Sequence, residues 1–247
     1  IADGADVTLP EGVTIPVKRV PPWQFEADAA RRNLCRQFET HDLSGFGAAE
    51  LTLALGAANA LIEYARVTQG AAIAHVRAMR VETADAFVRM DPATRRNLEL
   101  TETIRGEPAP TLMSLMDTCV TGMGSRLLRH WLHHPLRDRI ALDARLDGVA
   151  GLIAEDSSRQ QIQTLLRQIA DLERISARIA LRSARPRDLS SLRDTLARLP
   201  EISATIPRDT SALLANTVDE LRTPDPCLEL LQRAIKPEPA SVVREGG

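Results

Sequence analysis

Apolar residues recur every three to four positions over two stretches in the first third of the chain. The first stretch runs from Phe25 to Phe38, and the second runs from Ala48 to Gln69, after which Gly70 is a stop signal. The segment between them, His41 to Gly47, is rich in turn-forming residues. The pattern therefore predicts two helices joined by a turn.

Extended backbone is predicted on both sides of these two helices. Residues 1 to 22 alternate apolar positions with prolines, a pattern that allows an edge strand or a loop. Ile73 to Val81 and Ala86 to Met90 contain β-branched residues and lack a helical period, which predicts two short strands or extended runs. A two-helix unit flanked by strands is therefore expected for residues 1 to 90.

The chain after Asp91 shows a helical pattern throughout. Asp91 is a suitable N-cap, and Pro92 suits the first helical position. Prolines, Pro200 among them, are expected to separate the later segments. The predicted helices are Pro92 to Thr101, Thr111 to Thr118, Ser125 to His134, Arg139 to Ala154, Ser158 to Ile169, Asp171 to Arg182, Arg187 to Leu199, Ser211 to Leu221 and Cys227 to Ile235.

One apolar stripe in this region is unusually regular. Spacings of three and four continue through 18 residues, which predicts a packing face on consecutive helical turns. Its members are Ile162, Leu165, Leu166, Ile169, Leu172, Ile175 and Ile179.

Composition supports a mainly α fold. Of the 247 residues, 44% are hydrophobic but only 3% are aromatic, so aliphatic side chains must fill the core, which favours interdigitating helices. The formal charge of -2 excludes a strongly basic nucleic-acid arm. No apolar stretch approaches the ~20 residues that span a bilayer, so a soluble protein without a membrane partner is expected.

Charge is nevertheless distributed unevenly. Between Arg159 and Arg198 nine arginines oppose four acids, whereas Pro200 to Gly247 holds eight acids against five bases. Such a run is typical of a solvated helix face, and contact with a partner or with DNA phosphates is the alternative. The sequence leaves both open.

The three cysteines and the first residue bear on the setting of the chain. Cys35, Cys119 and Cys227 are far apart and form no disulfide or zinc pattern, which indicates a reducing, cytoplasmic location. The chain begins at Ile1 without a methionine, and we expect it to be a piece of a longer protein.

Nucleotide-binding motifs are incomplete. A P-loop needs a lysine directly after a glycine, and neither Lys18 nor Lys236 meets this condition, so no ATPase site is predicted. Gly122 to Leu127 begins like a dinucleotide fingerprint, but Leu127 replaces the third glycine and no strand precedes it. A helix cap at Thr121 or Ser125 is the better interpretation.

Two groupings of ionisable residues are similar to reactive sites. His130 and His134 share a helix face as a metal pair would, but Pro135 ends the helix, so structural or solvent-facing histidines, His133 included, are favoured. The acids Asp171 and Glu173 are expected to point to different faces of a helix. Catalytic, cofactor-binding and metal-ligating residues are therefore predicted to be absent, and DNA-binding residues stay unassigned.

Short sequence motifs follow one another in a fixed order along the chain. They are Asp91 to Leu100, Thr111 to Asp117, Thr121 to Leu128, Trp131 to His133, Pro135 to Asp138, Asp171 to Arg174 with Arg178, Ala184 to Leu189, and Val243 to Gly247. This series resembles the start of the core domain in the MutS family of DNA mismatch-repair proteins. Upstream, Gly45-Phe46-Gly47, with Phe38 and Asp42-Leu43, resembles the last part of the connector domain of that family. The resemblance extends from about Trp23 to the end of the chain.

The resemblance implies a fold and a domain organisation. Residues 1–83 are expected to be the C-terminal part of the connector domain. Residues 84–247 are expected to be the N-terminal half of the helical core domain, ending before the clamp. The implied fold class is mainly α, a helical core and lever bundle preceded by a partial α/β connector segment.

The resemblance also implies a function, that of a MutS-type mismatch-recognition protein. This chain would link and transmit between mismatch reading, clamp and ATPase, without catalytic activity of its own. The full-length protein is implied to be a DNA-dependent ATPase that uses ATP and Mg, binds mismatched double-stranded DNA as a homodimer, and contacts MutL. A MutS paralogue outside mismatch repair and a helical scaffold without a DNA role are the alternatives.

Overall fold

A computed structural model describes residues 1–5, 16–69, 73–82 and 84–240. Helices dominate these residues, and the β-structure found among them consists of two isolated bridges, Ala2 with Val20 and Phe87 with Leu136. The predicted mainly α fold class is confirmed. The chain divides into two units, Ile1–Glu82 and Thr83–Gly247.

The helices follow one another in the predicted order, and most of their ends lie close to the predicted ones. Single 3-10 turns lie at Pro22–Phe25, Ser44–Phe46, Ala84–Ala86 and Arg208–Thr210. None of the helices in the described ranges combines the length and apolarity needed to cross a membrane. The α-helices are α1 (Ala27–Gln37), α2 (Thr52–Gln69), α3 (Pro92–Asn97), α4 (Leu112–Met116), α5 (Gly122–His133), α6 (Arg139–Ala154), α7 (Asp156–Leu166), α8 (Leu172–Ala180), α9 (Pro186–Thr205), α10 (Ala212–Glu220) and α11 (Asp225–Ala234).

The first unit is built on the packing of α1 against α2. Aliphatic side chains from both helices and from the turn between them form its buried core, because the apolar period of each helix places them on one face. Asn59 is buried in this interface, where its amide Nδ2 donates to the carbonyl of Gln24 at 2.7 Å and its Oδ1 accepts from Asn33. The core residues are Ala30, Leu34, Leu43, Ala48 and Leu55.

Gly56 allows α2 to approach the 3-10 turn that precedes α1. A Cβ atom built on Gly56 would lie 2.4 Å from the carbonyl oxygen of Phe25. Because the clashing atom belongs to the backbone, no side-chain rotation could relieve the contact. Glycine is therefore the residue that this crossing requires.

Of the two alternatives predicted for the segments after α2, a short strand or an extended run, the strand does not form. Residues 73–82 form no strand, and Phe87 pairs with Leu136 in a single bridge instead of a ladder. Residues 6–15 of the predicted N-terminal extended segment lie outside the described residues. A strand needs a neighbour to satisfy its backbone groups, and none of the described residues provides one for residues 73–82.

The second unit begins with capped helices, as its sequence predicts. The Asp91 carboxylate accepts from the backbone N–H of Thr94 at 2.7 Å, and Pro92 occupies the first helical turn of α3. Thr111, Thr121, Asp138 and Ser211 cap α4, α5, α6 and α10 in the same manner. The N-cap residues therefore fix the start of most helices locally.

The regular apolar stripe is divided between two helices. Leu166 ends α7 and Leu172 begins α8, while Leu165 and Ile175 are buried and Ile179 is exposed. The buried hydroxyl of Thr195, in α9, accepts from the backbone N–H of Ala170 at 2.9 Å. The break is therefore stabilised by a hydrogen bond from a helix that is distant in sequence.

Helix α9 continues through Pro200, which was expected to end it. The helix runs from Pro186 to Thr205 and packs against α7, α8 and α11. Leu196 and Ile202, one turn before and half a turn after Pro200, are both buried. Burial on both sides of the proline outweighs the loss of one backbone hydrogen bond.

Two glycines bring α6 close to the start of α10. A Cβ atom built on Gly151 would lie 2.3 Å from Oγ1 of Thr210, and one on Gly148 would lie 3.2 Å from Leu213. Both glycines are buried, whereas the opposite side of α6 exposes Leu146, Val149 and Ile153. Small residues, not aromatic ones, therefore set this helix contact.

Replacing Gly56 by alanine should destabilise the first unit. Alanine gains about 1 kcal/mol over glycine in a helix interior, but the backbone clash with Phe25 should outweigh this gain and leave a net loss of about 2 kcal/mol. Urea unfolding followed by circular dichroism measures the change. Gly45→Ala is the control, because nothing lies within 4 Å of a Cβ at that position. Equal stability of the two variants would contradict the proposed close approach.

Replacing Leu165 by aspartate should unfold much of the second unit. The side chain is 5% exposed, and an unpaired carboxylate in its place should cost about 3 to 5 kcal/mol. Ile153→Asp is the matched control, because Ile153 is 66% exposed and its replacement should change stability by less than about 0.5 kcal/mol. Thermal melts of both variants should separate clearly; similar melting temperatures would show that the stripe is not a packing face.

Candidate functional site: arginine-paired helix junctions

Three arginines of the second unit each join two different helices. Arg126 in α5 binds the start of α8, Arg178 in α8 binds the start of α9, and Arg193 in α9 binds the end of α11. We call Arg126, Arg178 and Arg193 the junction arginines. Each satisfies polar groups at a helix end, where backbone or capping groups lack partners within the helix.

Arg126 makes the densest of these contacts. Its Nη1 and Nη2 donate to the two carboxylate oxygens of Asp171, each at 2.8 Å, and its Nε donates to Glu173 at 2.9 Å. This planar, two-pronged geometry suits guanidinium and would not be reproduced by lysine. Arg126 therefore fixes both the distance and the orientation between α5 and the start of α8.

The same carboxylate also caps α8. Asp171 accepts from the backbone N–H of Arg174 at 3.2 Å while it receives the two bonds from Arg126. These hydrogen bonds, from Arg126 first, hold the pKa of Asp171 below its ordinary value, and burial opposes them. In turn, Asp171 and Glu173 raise the pKa of Arg126. One ionised carboxylate thus starts a helix and anchors its neighbour.

Arg178 and Asp188 repeat this arrangement at the next junction. The Arg178 guanidinium donates to both oxygens of Asp188, at 2.9 and 2.7 Å, and the backbone N–H of Arg185 donates to the same carboxylate at 2.9 Å. The bond from Arg185 is the largest of the effects that lower the pKa of Asp188. One carboxylate therefore accepts hydrogen bonds both from α8 and from the turn that leads into α9.

Arg193 binds backbone carbonyls at the end of α11. Its Nη1 lies 3.0 Å from the carbonyl oxygens of Ile235 and Lys236, and its side chain is only 13% exposed. A cation at a helix C-terminus satisfies orphan carbonyls and complements the helix dipole. Nothing in the local sequence identifies this contact, because the partners are 42 and 43 residues away.

The expectation for Asp171 and Glu173 was wrong. They were expected to point to different faces of a helix, but both carboxylates contact the Arg126 guanidinium. The physical reason is that Asp171 precedes the helix as its N-cap and does not follow the helical 100° rotation per residue. The capping position of Asp171 is the signal that could have indicated this.

The arginine-rich stretch is in part an internal network. Among the described residues, four of its nine arginines form ion pairs within the chain: Arg159, Arg174, Arg178 and Arg193. Neither a wholly solvated face nor a continuous phosphate-binding face describes these positions. Arg178 and Arg193 join two helices, whereas Arg159 and Arg174 pair with acids three residues earlier in the chain.

The three histidines lie at the C-terminal end of α5 and beyond it. The rings of His130 and His134 stack with centroids 4.5 Å apart, and the edge of Phe87 meets His134. His133 instead contacts the buried hydroxyl of Thr101 at 3.1 Å, and burial followed by the charge of Arg95 lowers its pKa. Within the described part of the chain, no three His, Cys, Asp or Glu side chains gather as metal ligands would.

The predicted cap at the glycine-rich segment is confirmed at Thr121. Its Oγ1 accepts from the backbone N–H of Gly124 at 3.0 Å, and α5 begins at Gly122, three residues before the predicted start. Ser125 instead donates to the Asp117 carboxylate at 3.0 Å. No lysine directly follows a glycine in this sequence, so this glycine-rich segment does not match a P-loop.

Acid should weaken the second unit through the junction carboxylates. The folded pKa values of Asp171 and Asp188 lie below their ordinary 3.8, so their contribution is complete above that value and is lost as pH falls through the folded pKa. The double variant Asp171→Asn, Asp188→Asn keeps capping oxygens but removes the charges. Urea midpoints should be lower for the variant at pH 7 and should converge with those of the wild type near pH 2. A constant difference across this range would contradict the assignment.

Comparison with known families agrees with the order of these structural units. The family model described as MutS domain II matches residues 11–77. The family model described as MutS domain III matches residues 93–247, which is more than half of the chain. All three junction arginines and the capped helices from α4 onward fall within the second match. Since domain II is followed by domain III in one chain, this protein belongs to the MutS family.

Proposed function

We propose that this chain links and transmits between the mismatch-reading, clamp and ATPase parts of a MutS-type DNA mismatch-repair protein. The observation that carries the proposal is the set of junction arginines inside the part that matches MutS domain III. Each arginine couples two helices through charged hydrogen bonds. The chain itself is proposed to have no catalytic activity.

Packing limits how the helices of the second unit can move. Close-packed elements held by directional bonds shift between discrete arrangements and do not deform smoothly. Arg126 ties α5 to α8, Arg178 ties α8 to α9, and Arg193 ties α9 to α11. A displacement of one helix in this series would therefore be passed to the next.

The remaining elements of the proposal follow from family membership. Residues 1–83 would be the C-terminal part of the connector domain, and residues 84–247 would be the N-terminal half of the core domain. ATP and Mg would be used elsewhere in the full-length protein, which would act as a homodimer on mismatched double-stranded DNA and contact MutL. A cytoplasmic location suits the free thiols of Cys35, Cys119 and Cys227.

Replacing Arg126 by glutamine in the full-length protein should weaken the coupling between DNA and nucleotide. The variant loses the two-pronged bond to Asp171, so the mismatch-dependent change in ATP turnover should fall about threefold or more, while basal turnover stays the same. Steady-state ATP hydrolysis with paired and mismatched duplexes measures both quantities. Arg89→Gln is the matched control, because it breaks a largely exposed ion pair, that with Asp85.

Three outcomes would contradict the proposal. The first is an Arg126→Gln protein that is folded and responds to a mismatch as the wild type does. The second is ATP turnover by the isolated 247-residue chain that persists after repurification. Equal losses in Arg126→Gln and Arg89→Gln would also reject a specific role for the junction.

A further inference from the structure

The first unit contains a basic cavity that the proposed function does not use. It has a volume of about 510 Å³ and lies between the end of α1, the second half of α2 and the segment that follows residue 72. We call it the basic pocket; its lining includes Arg36, Arg66, Arg77, Phe38, Ile73 and Glu39. This volume is within the usual range for small-molecule sites.

Three guanidinium groups from three different segments line the basic pocket. Arg66 contacts Glu63 and is thereby partly neutralised. Among the described residues, neither Arg36 nor Arg77 has a carboxylate within ion-pair distance. Glu39 is the one acid in the lining. The cavity therefore carries a net positive charge, in contrast to the paired arginines of the second unit.

Gln37 holds part of this pocket in place. Its Nε2 donates to the carbonyl oxygens of Ile73 at 3.0 Å and Val76 at 2.9 Å, and its Oε1 accepts from Nη2 of Arg66 at 3.3 Å. One amide thus fixes the wall formed by residues 73–77 and orients a guanidinium. Arg66 is therefore positioned before an anion binds, which removes part of the ordering cost, whereas Arg36 and Arg77 are exposed at the same pocket.

Glu39 lines the pocket in an uncommon backbone conformation. Its φ is 53°, in the left-handed region that favours glycine, directly after the C-cap of α1. A glycine there would avoid the strain, so the side chain is retained at an energetic cost. Its carboxylate lowers the positive charge of the cavity and would oppose a bound anion.

We propose that the basic pocket binds a small molecule that carries a phosphate group, of the nucleoside monophosphate class. Guanidinium groups match phosphate oxygens in geometry and charge. Phe38 and Ile73 provide an apolar wall for a base or another flat group. This activity is independent of the transmission proposed above.

Isothermal titration of the 247-residue chain at constant ionic strength tests the proposal. Adenosine 5′-monophosphate should bind, and adenosine should bind at least about tenfold more weakly, because it lacks the charge-assisted bonds. Titration with inorganic phosphate shows which part of the nucleotide is recognised. If inorganic phosphate binds as tightly as the nucleotide, the site recognises the phosphate group alone. No saturable binding of either phosphate compound would overturn the proposal.

Substitutions of residues that line the basic pocket test whether binding occurs there. Arg36→Gln and Arg77→Gln should each weaken binding about tenfold, whereas Arg32→Gln, exposed on α1 but outside the lining, should leave it unchanged. Glu39→Gln should tighten binding severalfold, a gain that unfolding could not produce. Equal effects of Arg32→Gln and Arg36→Gln, or unchanged affinity in Glu39→Gln, would contradict binding in this pocket.

Discussion

The guanidinium of Arg126 ties two helices of the second unit to each other through charged hydrogen bonds. It binds the carboxylate that starts α8, so the beginning of that helix and its position against α5 depend on one ionised group. The next junction reuses the same chemistry, with Asp188 closing the turn into α9 and receiving Arg178. Helix starts and helix contacts are therefore coupled, because the capping residue is also the ion-pair partner.

Helix α9 contacts several of the other helices in this unit. It packs against α7, α8 and α11. Its Thr195 hydroxyl accepts a hydrogen bond from the segment between α7 and α8, and its Arg193 guanidinium donates to carbonyls at the end of α11. With only 3% aromatic residues, the chain has few large rings to hold helices at fixed angles. Charged hydrogen bonds and close contacts at glycine provide that orientation instead.

The two units use arginine in different ways. In the second unit, the junction arginines have carboxylate or carbonyl partners inside the chain, which suits a part that passes on motion. In the first unit, Arg36 and Arg77 line a cavity without carboxylate partners among the described residues, which suits an external anion. Arginine thus stabilises helix packing where a carboxylate or carbonyl group within the chain binds it, and it lines the proposed anion site where no carboxylate does.

Local signals in the sequence account for much of the fold. N-caps such as Asp91 and Thr121 act within one helical turn, and α6 begins and ends where the apolar pattern predicts. The family assignment also follows from the sequence, because ordered motifs over most of the chain are specific even where each is short. For Ile73 to Val81 and Ala86 to Met90 the sequence left a short strand or an extended run open, and no strand formed, since a strand depends on a neighbour that local pattern cannot provide.

Local sequence sets where most of the described helices start and which of their faces are apolar. The packing of distant segments places Pro200 inside a helix, joins Asp171 and Glu173 to one arginine, and brings Arg193 to carbonyls 42 and 43 residues away. The reason is physical: caps and periodicity act over a few residues, whereas ion pairs and burial depend on which distant segments the folded chain brings together.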